Sequence, residues 1–341
     1  MQPNARSIVP SLWEGTVIIS IGYITSRKEP RFDWFFESLA VQLQPTDDIE
    51  LILVDFFAQE GDGWTSADVG TRGTEVMKAQ TKAGLKCPVI WTPPKPTVWQ
   101  GPYRLTKDQW WAAANSRNTA LCWSAGDYWV NVDDRCVLLP GWMDAVREAK
   151  AGNYAVCGPY QKRTSVTVEN GLIKNAGIVT GEDNRTAYVR QYYDIHQHLR
   201  NPFSAPGSWW YGCSTGIPIE WALKVNGYPE DVCDGLGSED SLFGILLQNN
   251  NLPIYFDERM AIVEDRSPEF IGTTMRREDK GEIGTPRDKS HSALNRIQTS
   301  KVSMNSYDIR QLRNNMLQGK PWPKPTALAY DWFDKQPINQ M

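Results

Sequence analysis

The stretch AGDYWVNVDD, Ala125 to Asp134, decides the fold. Tyr128 to Val132 is an aromatic and β-branched run of strand length, and it stops abruptly on two adjacent carboxylates, Asp133 and Asp134. In open α/β sheets ligands gather outside the carboxyl ends of the strands, so an acid pair at such an end is a candidate site. Neighbouring carboxylates repel, which raises the pKa of one unless a cation or hydrogen-bond donors compensate. Oxygen donors of this kind favour Mg2+ or Mn2+.

Outward from this stretch, Thr16 to Tyr23 (TVIISIGY) and Glu50 to Phe56 (ELILVDF) read as buried parallel strands. Between them Trp34, Phe35, Leu39, Val41 and Leu43 recur near a helical period over 33–43, giving a β-α-β unit. The first strand runs into Tyr23, Thr25 and Arg27 and the second ends on Asp55, which adds these residues to the candidate ligand-binding set. The proline-rich segment 92–106 reads as a loop and 107–125 as a helix; Pro140 opens another helix through Lys150. Alternation over 163–190, punctuated by Asn170-Gly171, indicates antiparallel hairpin strands, so the expected sheet is mixed. Helices are expected at 219–225 and 240–249 and a strand at 254–256. Beyond residue 270 glycine and charge increase, which reads as a mobile lid over 272–290 feeding a C-terminal helix over 293–317.

A chain of 341 residues with 41% hydrophobic and 22% charged residues can bury one large α/β core with an extension. Its net charge of −4, from 36 basic and 40 acidic residues, gives no global attraction to nucleic acid. Six cysteines without CxxC spacing point to reduced thiols in a cytoplasmic protein rather than a zinc site or disulfide scaffold. The apolar run Val17 to Ile24 is far short of the ~20 residues of a membrane span, so neither anchor nor leader is expected. Fifteen tryptophans exceed what the core requires, and Trp209-Trp210 is a candidate flat platform for an acceptor. His196 and His198 alternate on one strand face with Asp194 and read as surface residues.

The series ELILVD at 50–55, SRNTAL at 116–121, AGDYWVNVDD at 125–134 and LPGW at 139–142 resembles the nucleotide-binding half of family-2 glycosyltransferases of the GT-A fold. GCSTGIPIEWALKVNGYPE at 212–230, followed by GLGSEDSLFGILL at 235–247, resembles the acceptor region shared with galactosyltransferases. The resemblance implies an α/β, Rossmann-like mixed central sheet flanked by helices. It places a catalytic domain over 1–270, with a nucleotide half at 16–160 and an acceptor half at 161–270, and a lid with helical extension over 271–341.

The same resemblance implies that Asp55 and Arg117 contact the donor nucleotide, that Asp133 lies on the ribose side and that Asp134 holds the metal, Mn2+ or Mg2+. Arg135 stands where many relatives carry a third acid. Asp240 matches the general base of inverting relatives, with Glu239 beside it. His291 is a candidate third metal ligand and Asp265 its competitor, while Arg287 and Lys289 would neutralise the departing diphosphate. The expected reaction is sugar transfer from a nucleotide sugar, a UDP-sugar by preference, to a saccharide or, as in phage-type enzymes, a hydroxymethylated DNA base. No obligate protein partner is expected. Nucleotidyl transfer and non-catalytic sugar binding are the alternatives. The first would want a glycine-rich basic loop after the first strand, where only Ser26-Arg27-Lys28 stands.

Overall fold

Strands covered on both faces carry apolar residues without alternation, and β1 (Ile19–Thr25) and β2 (Ile49–Asp55) are buried at every position. They pair in parallel, as expected, in a computed structural model that describes residues 19–60, 65–97, 112–178, 202–267, 299–303 and 305–325. With β3 (Val89–Thr92) and β4 (Tyr128–Asp133) they form the parallel half of an eight-stranded sheet. The other half joins β4 through antiparallel β10 (Ser214–Pro218) and continues through β6 (Ala155–Cys157), β11 (Ile254–Phe256) and β9 (Phe203–Ser204). The central sheet is therefore mixed. A second sheet orders β5 (Cys136–Leu138), β12 (Ile262–Asp265), β7 (Tyr160–Glu169) and β8 (Leu172–Ile178).

Adjacency of β4 and β5 in the chain places the acid pair where the two sheets meet. Between them Arg135 takes a left-handed backbone, φ 54°, so the chain turns sharply out of the first sheet into the second. The β7–β8 hairpin turns at Asn170-Gly171 with φ 53° and 74°, as that dipeptide requires.

Helices flank the sheet: α1 (Phe32–Ala40), α2 (Ser66–Ala83), α3 (Ala113–Trp123), α4 (Trp142–Ala151), α5 (Ile219–Lys224), α6 (Glu230–Leu236), α7 (Glu239–Asn249) and α8 (Ile309–Leu317). The sequence reading missed α2 and β3. α2 starts with a capping box between Thr65 and Asp68 and stops at left-handed Gly84, signals present in the sequence but masked by a largely polar helix. The expected C-terminal helix is shorter, because bends occupy 301–302 and 306–307 and Asp308 caps a fresh start by accepting from Gln311 N. Its Ile309, Leu312 and Met316 belong to the main hydrophobic core. The lid residues, with Arg287, Lys289 and His291, lie outside the described residues, as do His196 and His198.

Candidate active site

α3 carries five polar residues, Asn115 to Thr119, all buried. Such a helix survives only if its polar groups find partners. Asp234 accepts from Ala114 N and Asn115 N at 2.8 and 2.9 Å, satisfying amides of the first turn. Lys95 Nζ donates to Glu230 at 2.5 Å and Asn115 Oδ1 at 2.6 Å, and Asn118 donates to Glu230 Oε1 and Tyr228 O. The helix is thereby fixed against α6, immediately upstream of Glu239 and Asp240.

One turn into this helix, Arg117 is only 3% exposed. Its Nη1 donates to Glu239 Oε1 at 2.6 Å and its Nη2 to Asp133 Oδ1 at 3.0 Å, and the guanidinium lies 5.4 Å from the Tyr228 ring centre. Burial works against its charge, and Asp133 and Glu239 more than restore it, leaving the pKa above the ordinary arginine value. A Cβ at Gly212 would lie 2.5 Å from Nη2, so glycine is the residue that leaves room for the guanidinium. The Gly212 carbonyl accepts from Asn131 Nδ2 and its amide reaches Asp240 Oδ2 at 3.4 Å.

The two members of Glu239-Asp240 have different surroundings. Glu239 is committed to Arg117, whereas among the described residues Asp240 is held only by Ser241 N at 2.7 Å and the distant Gly212 amide. Desolvation and, after it, the Glu239 charge push the Asp240 carboxyl up to about 6.

At the ends of β1 and β4, Thr25 Oγ1 donates to Asp134 Oδ2 at 2.6 Å and Arg27 Nε to Asp134 Oδ1 at 2.9 Å. Arg27 Nη2 also lies 3.6 Å from Glu264, which faces Arg266 at 3.3 Å. Asp133 keeps a third of its side chain exposed and gives one oxygen to Arg117. Burial first, then the charges of Glu264, Asp134 and Glu239, push Asp133 up to about 6 against the opposing pull of Arg117. Desolvation likewise raises Glu264, with Arg266 and Arg27 opposing it. The structure thus gathers Thr25, Arg27, Arg117, Asp133, Asp134, Glu239 and Asp240, and adds Glu264, which the sequence reading passed over. β12 alternates: Asp265 turns to the far face, where Arg135 holds it at 2.5 Å and Ser267 donates to it, while Glu264 turns to the site. Asp265 is thus taken up by an ion pair with Arg135, which is itself wholly buried.

Burial bears on three further expectations. Tyr23 points into the core, stacked on Phe35 at 4.7 Å, with its hydroxyl donating to Pro30 O and accepting from Arg135 N. Its ring packs against Phe32 and Phe35 of α1. Asp55 is wholly enclosed: Arg72 donates to both oxygens, Trp91 Nε1 and Phe57 N to one each. Arg72 also donates to the carbonyls of Arg27 and Lys28, so Asp55 supports the loop that carries Arg27. Trp209 and Trp210 form no exposed platform; Trp209 packs on Phe203 and Phe256, and Trp210 donates to the Tyr228 hydroxyl at 3.0 Å.

No protein-family model and no curated protein matches the chain. Solved structures do match. S. aureus TarS 1–349 in complex with UDP-GlcNAc aligns with a TM-score of 0.51 at 12% identity, covering 88% of this chain and 71% of that one. The chain has the GT-A fold. The mannosyltransferase PcManGT from Pyrobaculum calidifontis in complex with GDP-Man and Mn2+ aligns at 16% identity and TM-score 0.45, over 76% of this chain and 59% of that one. GalNAc-T7 with UDP, GalNAc and Mn2+ aligns at 11% and 0.47, over 91% and 60%. The chain spans about three fifths of the length of these last two, and of TarS 1–349 with UDP, where it covers 62%. In this GT-A fold, the Asp133-Asp134 pair closes the last parallel strand, and Glu239-Asp240 opens a helix across the site from it.

Proposed function

We propose that the chain is a glycosyltransferase that moves a sugar from a nucleotide donor, UDP-linked by preference, to an acceptor hydroxyl with inversion, using Asp240 as general base. The observation that carries this reading is the asymmetry of the acid pair: Glu239 is neutralised by Arg117, and Asp240 beside it has no ion-pair partner among the described residues and is raised to about 6. A base whose pKa lies just below working pH is both ionised and able to take a proton.

In the proposed step an Asp240 carboxylate oxygen accepts the proton of the acceptor hydroxyl as that oxygen bonds to the anomeric carbon. The bond from that carbon to the diphosphate breaks on the opposite face, and its electron pair leaves with the nucleotide. Arg27 stands at the carboxyl ends of the parallel strands, where departing negative charge would need a cation.

The GT-A fold implies a divalent metal. The residues fit one through Asp133 and Asp134, adjacent at the end of β4, where Asp133 Oδ2 has no hydrogen-bond partner among the described residues. Asp133 and Asp134 would hold it, with His291 as a candidate further ligand outside the described residues. Among the described residues no three His, Cys, Asp or Glu side chains form a ready metal cluster. A bound Mn2+ or Mg2+ would supply charge neutralisation of the diphosphate.

Among the described residues no helix is long and apolar enough to cross a membrane. Saccharide and hydroxymethylated DNA acceptors are separated by one screen. The protein is incubated with Mn2+ and a panel of UDP- and GDP-sugars, and mass spectrometry of each acceptor reports a hexose or pentose gain. Gain by one acceptor, absent with Asp240→Asn, supports the reading; nucleotidyl gain, or none on any acceptor with any donor, overturns it.

A further inference from the structure

Arg117 contacts both halves of the site at once. It bonds Asp133, at the end of β4, and Glu239, at the start of α7, and no other described cation bonds both. Four features fix it there. Its helix is anchored by Asp234, which accepts the Ala114 and Asn115 amides. The Tyr228 ring lies 5.4 Å from its guanidinium, and that ring stacks on Phe243 of α7 at 4.1 Å. Gly212 leaves the space it fills, and the Gly212 amide in turn faces Asp240. Finally, α7 lacks a side-chain N-cap, because Ser238 adopts a left-handed backbone with φ 66° and makes no capping bond. The first turn of the helix is therefore held by a tertiary ion pair and not by a side-chain cap.

Resting on the function proposed above, we propose that Arg117 is the positioning residue for the base: its two-ended bridge sets Asp240 at a fixed place relative to the donor-side carboxylates. The sequence resemblance put Arg117 on the nucleotide; the geometry puts it on the protein, with both ends of its fork taken. Arginine suits this role, since a planar fork can bond two carboxylates in fixed directions and an ammonium cannot. A displacement of about 1 Å at a reacting group is enough to cost on the order of 10²-fold in rate.

The test compares Arg117→Lys, Arg117→Met with Glu239→Gln, and wild type, using the donor that wild-type protein turns over. The double variant removes the Arg117–Glu239 pair together and leaves only Asp133, a third exposed to solvent, without its guanidinium partner, so it folds where Arg117→Met alone could fail. Both variants should lose kcat by about 10²-fold with donor KM changed less than about threefold. Hydrogen exchange should quicken in the first turn of α7, residues 239–242, and not across the central sheet. The double variant at full kcat would overturn the inference, because Arg117 would then only neutralise Glu239. Equal loss in donor KM and kcat would place Arg117 on the donor and overturn it as well. Wild-type protein that transfers nothing refutes the glycosyltransferase reading, and the base-positioning role falls with it. Wild-type transfer with both variants unaffected refutes the positioning role alone.

Discussion

Arg27 donates through Nε to Asp134 Oδ1 at 2.9 Å while its Nη2 stands 3.6 Å from Glu264. A cation from the chain itself thus occupies the carboxylate that the resemblance assigned to the metal. Metal and guanidinium compete for the same oxygens, so Arg27→Met should bind Mn2+ about tenfold more tightly in the absence of donor, the factor for ~1.4 kcal/mol of removed competition. Titration calorimetry of the variant against wild type checks this. Unchanged or weaker binding would mean that Arg27 supports the metal site rather than contending for it.

Asp240→Asn should keep donor affinity and lose transfer by roughly 10²-fold or more, the contribution of a positioned base. The pH profile carries a separate expectation. The Asp240 carboxyl is raised to about 6, and only its ionised form can accept a proton, so kcat should decline as pH falls through about 6 and level off above. A profile flat down to pH 4 would assign the proton to another group.

Gly212→Ala would set a methyl 2.5 Å from Arg117 Nη2. The end of an arginine can ordinarily step aside, but this one is bonded at both ends. The expected result is a fall in kcat of about tenfold or more with near-normal thermal stability, since a shifted reacting geometry costs rate before it costs fold. Kinetics paired with a melting curve would show it.

Lys95 and Glu230 form an ion pair at 2.5 Å with side-chain exposures of 1% and 3%. Lys95→Met leaves Glu230 buried and without its cation, which should destabilise by about 3–5 kcal/mol, whereas Lys95→Met with Glu230→Gln should recover a substantial part. Denaturant unfolding of the two variants distinguishes a buried pair from a solvated one. Because Asn118 and Asn115 share this network, the same lesion should loosen the helix that carries Arg117.

The parallel strands were legible because burial on both faces writes a continuous apolar run, and the hairpin was legible because Asn170-Gly171 accepts a left-handed turn. The acid pair was legible because two carboxylates closing such a run have no ordinary packing explanation. What sequence could not supply was direction. Glu264 and Asp265 are neighbours in one strand, and only the register against β5 and β7 tells which faces the site. Trp209 and Trp210 look equally fit for a sugar platform or a core, and the packing of Phe203, Phe243 and Phe256 decides for the core. Arg117 reads as a donor contact from its place in the SRNTAL segment; its burial between Asp133 and Glu239 is a tertiary fact.

On the proposed function, a nucleotide binds at the carboxyl ends of the parallel strands through Asp133 and Asp134. Calorimetry with UDP, with and without Mn2+, on wild type and on Asp133→Asn with Asp134→Asn tests it most directly. Asp133 has a side chain 33% exposed and Asp134 is buried with its side chain 11% exposed, and both keep their shape and two hydrogen-bonding atoms as asparagines, so the variant should fold. The expected result is metal-dependent UDP binding by wild type and at least a tenfold loss in the variant. Equal UDP affinity in both proteins, or affinity in wild type that ignores Mn2+, would contradict it.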